Sequence, residues 1–335
     1  MPIEPAPQSH GIAFAKTRDG LTLPVIDVSR PPFAIPDDPA SIAARRDAFL
    51  RWHRRQYWMP RFVTMLILQF AAYRSPLARA VFQSDDGYLD GITTYIMKLG
   101  AEHLPAGFDS PIDRKIASAP HVPLLRLRMQ QIAKSLARSL QEPLARDATA
   151  DLHLINIAGG PALDSINTLI LLDRSRANLM KRKIAIHVLD TQIEGPTFGG
   201  NALAALQAAG HPLHGLDIAF RYRPYDWNDT AALRALLEET RGAVVAASSE
   251  GGLFEYGSDV AIVRNLEELR AGGVDYVAGS VTTSSEMRKR LIAQTQFMLR
   301  PRGLEGFRPL AERAGYHIAT SEPAELSEQV LLEIA

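Results

Sequence analysis

Four segments in the second half of the chain carry residue types that do chemistry. Asn156-Ile157-Ala158-Gly159-Gly160-Pro161-Ala162 sets small residues between an apolar run and a helical one that opens at Asp164 and Ser165. Such a turn lets backbone N–H groups approach a nucleotide or a carboxylate, with the positive end of a helix beneath it; a tight turn that holds no ligand is the alternative. Asp190 ends the next apolar run, where a carboxylate can accept from both hydroxyls of a ribose or simply cap a loop. Arg223-Pro224-Tyr225-Asp226-Trp227-Asn228-Asp229 joins an acid to an aromatic wall, or forms an ordinary capped loop. Ala247-Ser248-Ser249-Glu250-Gly251-Gly252-Leu253-Phe254-Glu255-Tyr256-Gly257 follows a fourth apolar run. The carboxyl end of a central strand is where open α/β sheets bind ligands, although glycines of this kind also make plain flexible loops with solvated acids.

Composition narrows the chemistry. The 335 residues carry 37 Lys plus Arg against 37 Asp plus Glu, so no global field draws the chain to nucleic acid or to an acidic membrane, and a small molecule is the expected partner. With no cysteine, disulfides, thiol nucleophiles and thiolate metal sites are excluded. His211 and His214 are too few and too loop-bound for zinc, so no metal is expected. The opening MPIEPAPQSHGIAF lacks a basic segment followed by an apolar one, which reads as no signal peptide and a cytoplasmic protein. The uncharged stretch Phe62 to Tyr73 is shorter than the ~20 residues of a membrane span and reads as a buried helix.

The elements that must position these residues divide the chain into three. Residues 1–40 are broken by Pro24, Pro31, Pro32, Pro36 and Pro39 and read as an arm over the surface. Residues 41–147 have helical periodicity and read as a helical subdomain serving as lid, substrate or dimerisation unit; the arm and the apolar residues from Phe62 to Phe82 are the expected contact of a homodimer. His53, Tyr57, Trp58, Tyr95, His103 and His121 have the polar tips and apolar bulk of a lid, yet most such residues are core or surface. The arginines from Arg45 to Arg55 and the basic run Arg174 to Lys183 read as solvated helix surface. Residues 148–335 alternate short apolar runs with amphipathic ones, the signal of βαβ units around a parallel sheet. Strands are expected at Leu152–Ile157, Ile184–Leu189, Leu216–Tyr222, Ala243–Ala247 and Tyr276–Val281. Helices are expected at Asp164–Lys181, Asn201–Ala209, Thr230–Thr240 with Asp229 as N-cap, Asp259–Ala271 and Glu286–Leu299. The C-terminal part reads as helix Leu304–Ala314 followed by strands Tyr316–Thr320 and Gln329–Ile334.

In their order and spacing these segments resemble the class I S-adenosylmethionine-dependent methyltransferases. The resemblance implies an α/β fold, a seven-stranded, mostly parallel Rossmann-like sheet whose last strand runs antiparallel, with an N-terminal helical subdomain. It implies S-adenosylmethionine as cofactor, S-adenosylhomocysteine as product and a small-molecule methyl acceptor. It assigns cofactor contacts to Asn156, Ala158, Gly159, Gly160, Pro161, Asp190, Thr191, Asp226, Trp227, Ser248 and Ser249, with Asp190 on the ribose, Gln192 along the same edge and Asp226-Trp227 on the adenine. Glu250, Glu255 and Tyr256 fall where the acceptor is positioned or loses its proton. Three residues depart from the family pattern: Asn156 stands where an acid is usual, and Ala158 and Ala162 replace glycines. There is no Asn-Pro-Pro-Tyr motif, and the fifth strand ends in Ser280-Val281-Thr282-Thr283 rather than His-Asp-Trp, which leaves the acceptor atom open. A methyltransferase-like binding or scaffold protein without catalysis is one alternative. An NAD(P)-dependent oxidoreductase is another, although the turn lacks G-x-G-x-x-G spacing.

Overall fold

The computed structural model describes residues 11–56, 61–82, 90–293 and 297–335. Tyr57, Trp58, Gln294 and the first ten residues, on which some of the expectations fall, lie outside them. After a hairpin of β1 (Phe14–Lys16) and β2 (Thr22–Pro24) come the helices α1 (Pro39–Gln56), α2 (Arg61–Ala72), α3 (Pro76–Phe82), α4 (Gly91–Leu99), α5 (Pro111–Ala117), α6 (Val122–Ser139) and α7 (Gln141–Arg146). The alternating region follows as β3 (Leu152–Ile157), α8 (Leu163–Arg176), β4 (Ile184–Asp190), α9 (Glu194–Gln207), β5 (Ile218–Pro224), α10 (Ala231–Glu239), β6 (Val244–Ser249), α11 (Leu253–Tyr256), α12 (Asp259–Ala271), β7 (Tyr276–Thr282), α13 (Glu286–Ala293), α14 (Gly303–Arg313), β8 (Tyr316–Pro323) and β9 (Ser327–Ile334).

The seven strands from β3 onward form one sheet in the order β5-β4-β3-β6-β7-β9-β8. β3 to β7 are parallel, and β9 runs antiparallel to both β7 and β8. The expected α/β sheet with its closing antiparallel strand is therefore present. Alternate residues of each strand enter two cores, as the two-residue repeat of a strand requires. Leu152 and Leu154 join α6, α8 and α9 on one face, while Ile155 and Ile157 join α10, α12 and α14 on the other. From β3 the chain steps first to β4 and β5 on one side and then to β6 and β7 on the other, so the carboxyl ends of β3 and β6 flank the point where such sheets bind ligands.

Two elements differ from expectation for identifiable reasons. α9 begins at Glu194 rather than Asn201 because Gly195 and Gly199 act here as close-approach residues, not helix breakers. A Cβ on Gly195 would lie 2.8 Å from the Gly160 Cα, and one on Gly199 would lie 2.3 Å from the Pro161 carbonyl oxygen. The proline-rich arm is structured from Gly11 and is largely built into the core, with Leu23, Val25, Ile26 and Phe33 buried. Lacking long ladders, its buried backbone is satisfied by side chains. Asn167 accepts from Val28 N–H (2.8 Å) and donates to the Ile26 carbonyl (3.0 Å). Gln130 accepts from Ile35 N–H (2.9 Å) and donates to its carbonyl (2.7 Å). Tyr95, expected on the lid, donates to the Pro24 carbonyl (2.6 Å) and is buried in this role. One apolar cluster joins the arm, α3 to α8, β3 and β4, so the core runs without a break across residues 40 and 147.

Smaller differences are local. Asp229 accepts from Ala231 N–H (3.0 Å), one residue ahead of the Thr230 cap position. Arg182, in the basic run read as solvated, donates to the carbonyls of Leu144, Asp147, Ala150 and Leu179 and closes the end of α7. α2 exposes Phe62 (66%), Leu66 and Phe70 (63%) and is not the buried helix its composition suggested. No helix among the described residues is long and apolar enough to cross a membrane.

A buried histidine pair crosses β3 and β4. His153 Nδ1 lies 2.8 Å from His187 Nε2, and His187 Nδ1 is buried with no hydrogen-bond partner among the described residues. Burial first, then the neighbouring His153, Arg221 and Arg223, hold His187 down at about 4, below its ordinary 6.5. The unfolded chain takes up the proton near 6.5 and the folded chain only near 4, so stability is intact above 6.5 and falls between those limits. The slope is about 1.4 kcal/mol per pH unit. Urea unfolding at pH 7, 6 and 5 is expected to show this decline in the wild type and a flatter profile in His187→Leu; equal slopes would exclude His187 as the source.

Candidate functional site

A cavity of about 1540 Å3 opens over the carboxyl ends of β3, β4 and β6. Ala158, Gly159, Gly160 and Pro161 form its floor, Asp190, Thr191 and Gln192 one edge, and Asp226, Trp227 and Asn228 the next. Glu250, Glu255 and Tyr256 line it from the β6 side, and helical residues including Phe49, Trp52, Lys98, His121, Arg128 and Arg288 roof it. Of the residues expected at a cofactor, Asn156, Ser248 and Ser249 are the ones that do not line it. They are fully buried behind the floor and hold it in shape.

The floor owes its geometry to Asn156. Its Oδ1 accepts from Gly159 N–H (3.0 Å), and its Nδ2 donates to Asp164 Oδ1 (2.8 Å) and Ser248 Oγ (3.1 Å). Burial, then the charge of Glu250, raise Asp164 to about 6. A carboxylate at 156 would face Asp164 across 2.8 Å, whereas an amide supplies the donor that acid lacks. Ala158 and Ala162 adopt left-handed backbone with φ of 54° and 52°, at a cost of roughly 1 to 2 kcal/mol each. The N–H groups of the turn are taken: Ala158 donates to the Leu189 carbonyl (2.7 Å), Gly159 to Asn156, and Gly160 to Asp190 Oδ2 (3.1 Å). The expectation of N–H donors aimed at a ligand is corrected on this point; the turn offers close contact instead.

Asp190 accepts from Gly160 N–H on one oxygen and from Gln192 N–H (3.0 Å) on the other. Each carboxylate oxygen has a second lone pair, so acceptor capacity remains on the cavity side. Burial raises this carboxyl, partly offset by the backbone donors of Gln192 and Gly160. Asp226 is exposed and turned on Asn228, accepting from its N–H (2.9 Å) and Nδ2 (2.8 Å). Asn265 fixes this loop by donating to the Trp227 carbonyl (2.8 Å) while accepting from the Tyr225 hydroxyl (2.5 Å).

Between floor and roof lies a buried ion cluster. Glu250 pairs with Lys98 from α4 and with Arg128 Nε (2.5 Å) from α6; Arg128 Nη1 also donates to both oxygens of Glu255 (3.2 and 3.1 Å). Burial pushes Glu250 up, but Arg128 and Lys98 together outweigh it and leave the carboxyl below its usual value. A carboxylate held ionised by two cations is a poor proton acceptor. Glu250 thus joins the helices to the sheet, and Glu255 shares the same guanidinium. The loop glycines serve this cluster: at Gly251, with φ of +71°, a Cβ would meet the Arg128 guanidinium at 2.6 Å. Tyr256 is half-buried on the cavity, its backbone carbonyl accepting from Arg300 Nε (3.2 Å).

Lys98, Arg128 and Arg288 went unread in the sequence as site residues. The signal was present for two of them. Lys98 interrupts the apolar run Tyr95-Ile96-Met97-Lys98-Leu99, and Arg128 lies on the same helix stripe as Leu125 and Ile132. A charge on an apolar stripe needs a buried partner. Among the described residues no group of three or more His, Cys, Asp or Glu is placed to hold a metal ion.

No protein-family model and no curated protein matches the chain. Among solved structures it is similar to a possible exported protein from Bordetella parapertussis, at 17% identity and TM-score 0.55, over 89% of this chain and 99% of that one; the two share a fold. Fainter similarities, each at 14% identity and TM-score 0.40, are to N,N-8-amino-8-demethyl-D-riboflavin dimethyltransferase from Streptomyces davawensis, over 79% of this chain and 71% of that one, and to the mitomycin 7-O-methyltransferase, over 89% and 73%.

The ion cluster generates a prediction that separates support from catalysis. Glu250→Gln leaves Lys98 and Arg128 with one carboxylate between them, and is expected to lower stability by about 3 kcal/mol in urea unfolding. A variant of unchanged stability that loses turnover would return Glu250 to the role of base.

Proposed function

We propose that the chain is an S-adenosylmethionine-dependent methyltransferase acting on a small molecule in the cytoplasm, with S-adenosylhomocysteine as product. One observation carries the reading. The Ala158–Pro161 turn, Asp190 with Thr191, and Asp226 with Trp227 come from three successive strand ends and line one continuous side of a cavity that has room for a second ligand. In this reading Asp190 accepts from the ribose hydroxyls, Asp226 from the adenine amine, and Trp227 packs on the adenine ring. The small residues of the turn let the remainder of the cofactor lie close against the floor, where the lack of a projecting side chain at Gly159 and Gly160 leaves a cradle.

When bound, the cofactor's sulfonium supplies an already activated methyl group. The chain's own residues hold the acceptor near it, and the roof from α1, α4 and α6 excludes water. Tyr256, on the cavity beside the ion cluster, is the candidate to touch the acceptor. The residues 41–147 thus act as lid, and the lid is locked to the sheet through Lys98 and Arg128.

The oxidoreductase alternative fits less well, because in the dinucleotide fold the sheet continues with a parallel sixth strand where this chain inserts the antiparallel β9. The non-catalytic alternative was motivated by Asn156, Ala158 and Ala162, and those departures are each absorbed locally. Calorimetric titration with S-adenosylhomocysteine, with NAD as control, tests the reading: micromolar binding of the first alone is expected, and no binding or binding of NAD overturns it. Asp190→Ala is expected to weaken that binding by about 1 to 3 kcal/mol. Tyr256→Phe is expected to preserve it while lowering turnover.

The reading includes a homodimer through α2, whose Phe62, Leu66, Ile67 and Phe70, with Tyr73 just beyond, are more than half exposed and uncharged. A contiguous apolar face of this kind marks a contact between chains. Light scattering over rising concentration is expected to report a two-chain mass; a one-chain mass throughout removes the contact.

A further inference from the structure

Past the ion cluster the cavity runs beneath the helices into an end that the cofactor does not use. Its wall is aromatic. The Trp52 ring lies 5.9 Å from Phe49, stacked at 27°, and 5.3 Å from the His121 imidazole, tilted at 46°. Leu124 from α6 and Leu291 from α13 line the same end. Arg288, on α13, is its cation.

Arg288 is incompletely satisfied. Its Nε is shut off from solvent with no hydrogen-bond partner among the described residues. The carboxylate that influences it, Glu255, has both oxygens engaged by Arg128. Burial lowers Arg288 from its ordinary value; the charge of Glu255 opposes that, Arg128 adds to it, and Tyr256 opposes it more weakly. His121 adds no charge, since burial and then Arg288 hold it at about 4. Both oxygens of Glu255 are committed to Arg128, so the buried Nε–H of Arg288 is left without an acceptor among the described residues. An anionic oxygen group completes such a donor, and a guanidinium binds it through its planar fork.

We propose that this end of the cavity is a subsite for a planar aromatic molecule bearing an anionic oxygen group, which pairs with Arg288 while the ring lies along Trp52 and His121. The identification of that molecule as the methyl acceptor rests on the methyltransferase reading; the anion site does not. Arg288 acts here as a specificity residue, selecting charge, and Trp52 as the platform that selects shape.

The probes are cinnamate and its uncharged isostere cinnamamide, titrated calorimetrically into the full chain with and without S-adenosylhomocysteine, and followed in parallel by tryptophan fluorescence. The wild type is expected to bind cinnamate about tenfold or more tightly than cinnamamide. Arg288→Gln is expected to erase that preference while its urea midpoint and its affinity for S-adenosylhomocysteine match the wild type, and Arg288→Lys to restore part of it. Equal binding of the two probes to the wild type, no binding of either, or a preference that survives in Arg288→Gln overturns the subsite. Charge-selective binding without any binding of S-adenosylhomocysteine leaves the subsite standing and removes the methyltransferase reading; S-adenosylhomocysteine binding without charge selectivity does the reverse.

Discussion

The pairing of Glu250 and Glu255 with Lys98 and Arg128 is the interaction on which the cavity depends. The two carboxylates, on the loop after β6 and on α11, and the two cations, on α4 and α6, are all buried. Each would be costly alone in an apolar surrounding, and together they are neutral and mutually hydrogen-bonded. The pairing ties segments far apart in sequence at the place where the sheet ends and the cavity begins. Hydrophobic burial brings the helices onto the sheet without fixing their register, and directional charge-assisted bonds do fix it. The Gly251-Gly252 pair belongs to the same constraint, because side chains there would displace Arg128 or the Ala158 carbonyl.

The sheet was largely legible in the sequence because its signal is local. β3, β4, β6 and β7 are short apolar runs with turn residues at their carboxyl ends, and the alternation with helices dictates parallel pairing. What was not legible depends on contacts between distant segments. The glycines at 195 and 199 carry no mark that distinguishes a helix breaker from a helix residue pressed against another backbone. The arm reads as surface because prolines prevent ladders, and only the structure reveals Asn167, Tyr95 and Gln130 taking the place of ladders. α2 reads as buried because hydropathy does not report whether an apolar face is covered.

At the site, residue types were easier to read than roles. Asp190, Asp226, Trp227 and the small-residue turn all reach the cavity, because strand ends fix their location. Asn156, Ser248 and Ser249 come from the same strand ends but are buried behind the floor, Asn156 bonded to Asp164 and Ser248, and Ser249 to the Ile157 carbonyl and Leu253 N–H. Glu250 and Glu255 looked like acids in search of a proton until their cations appeared from a part of the chain whose periodicity had been read only as helix. The alanines at 158 and 162 hold left-handed backbone that glycine adopts more easily, at the expense of local strain.

The position of β9 has a bearing on how the chain reaches this state during synthesis. β9 follows every other strand in sequence yet lies between β7 and β8 in space, and β8 enters the sheet through it alone. Until residues 327–334 have left the ribosome, β7 presents a long unpaired edge of buried-type residues, the kind of surface that templates pairing with other nascent chains. Completion of the sheet thus waits on the pairing of residues 327–334 with β7.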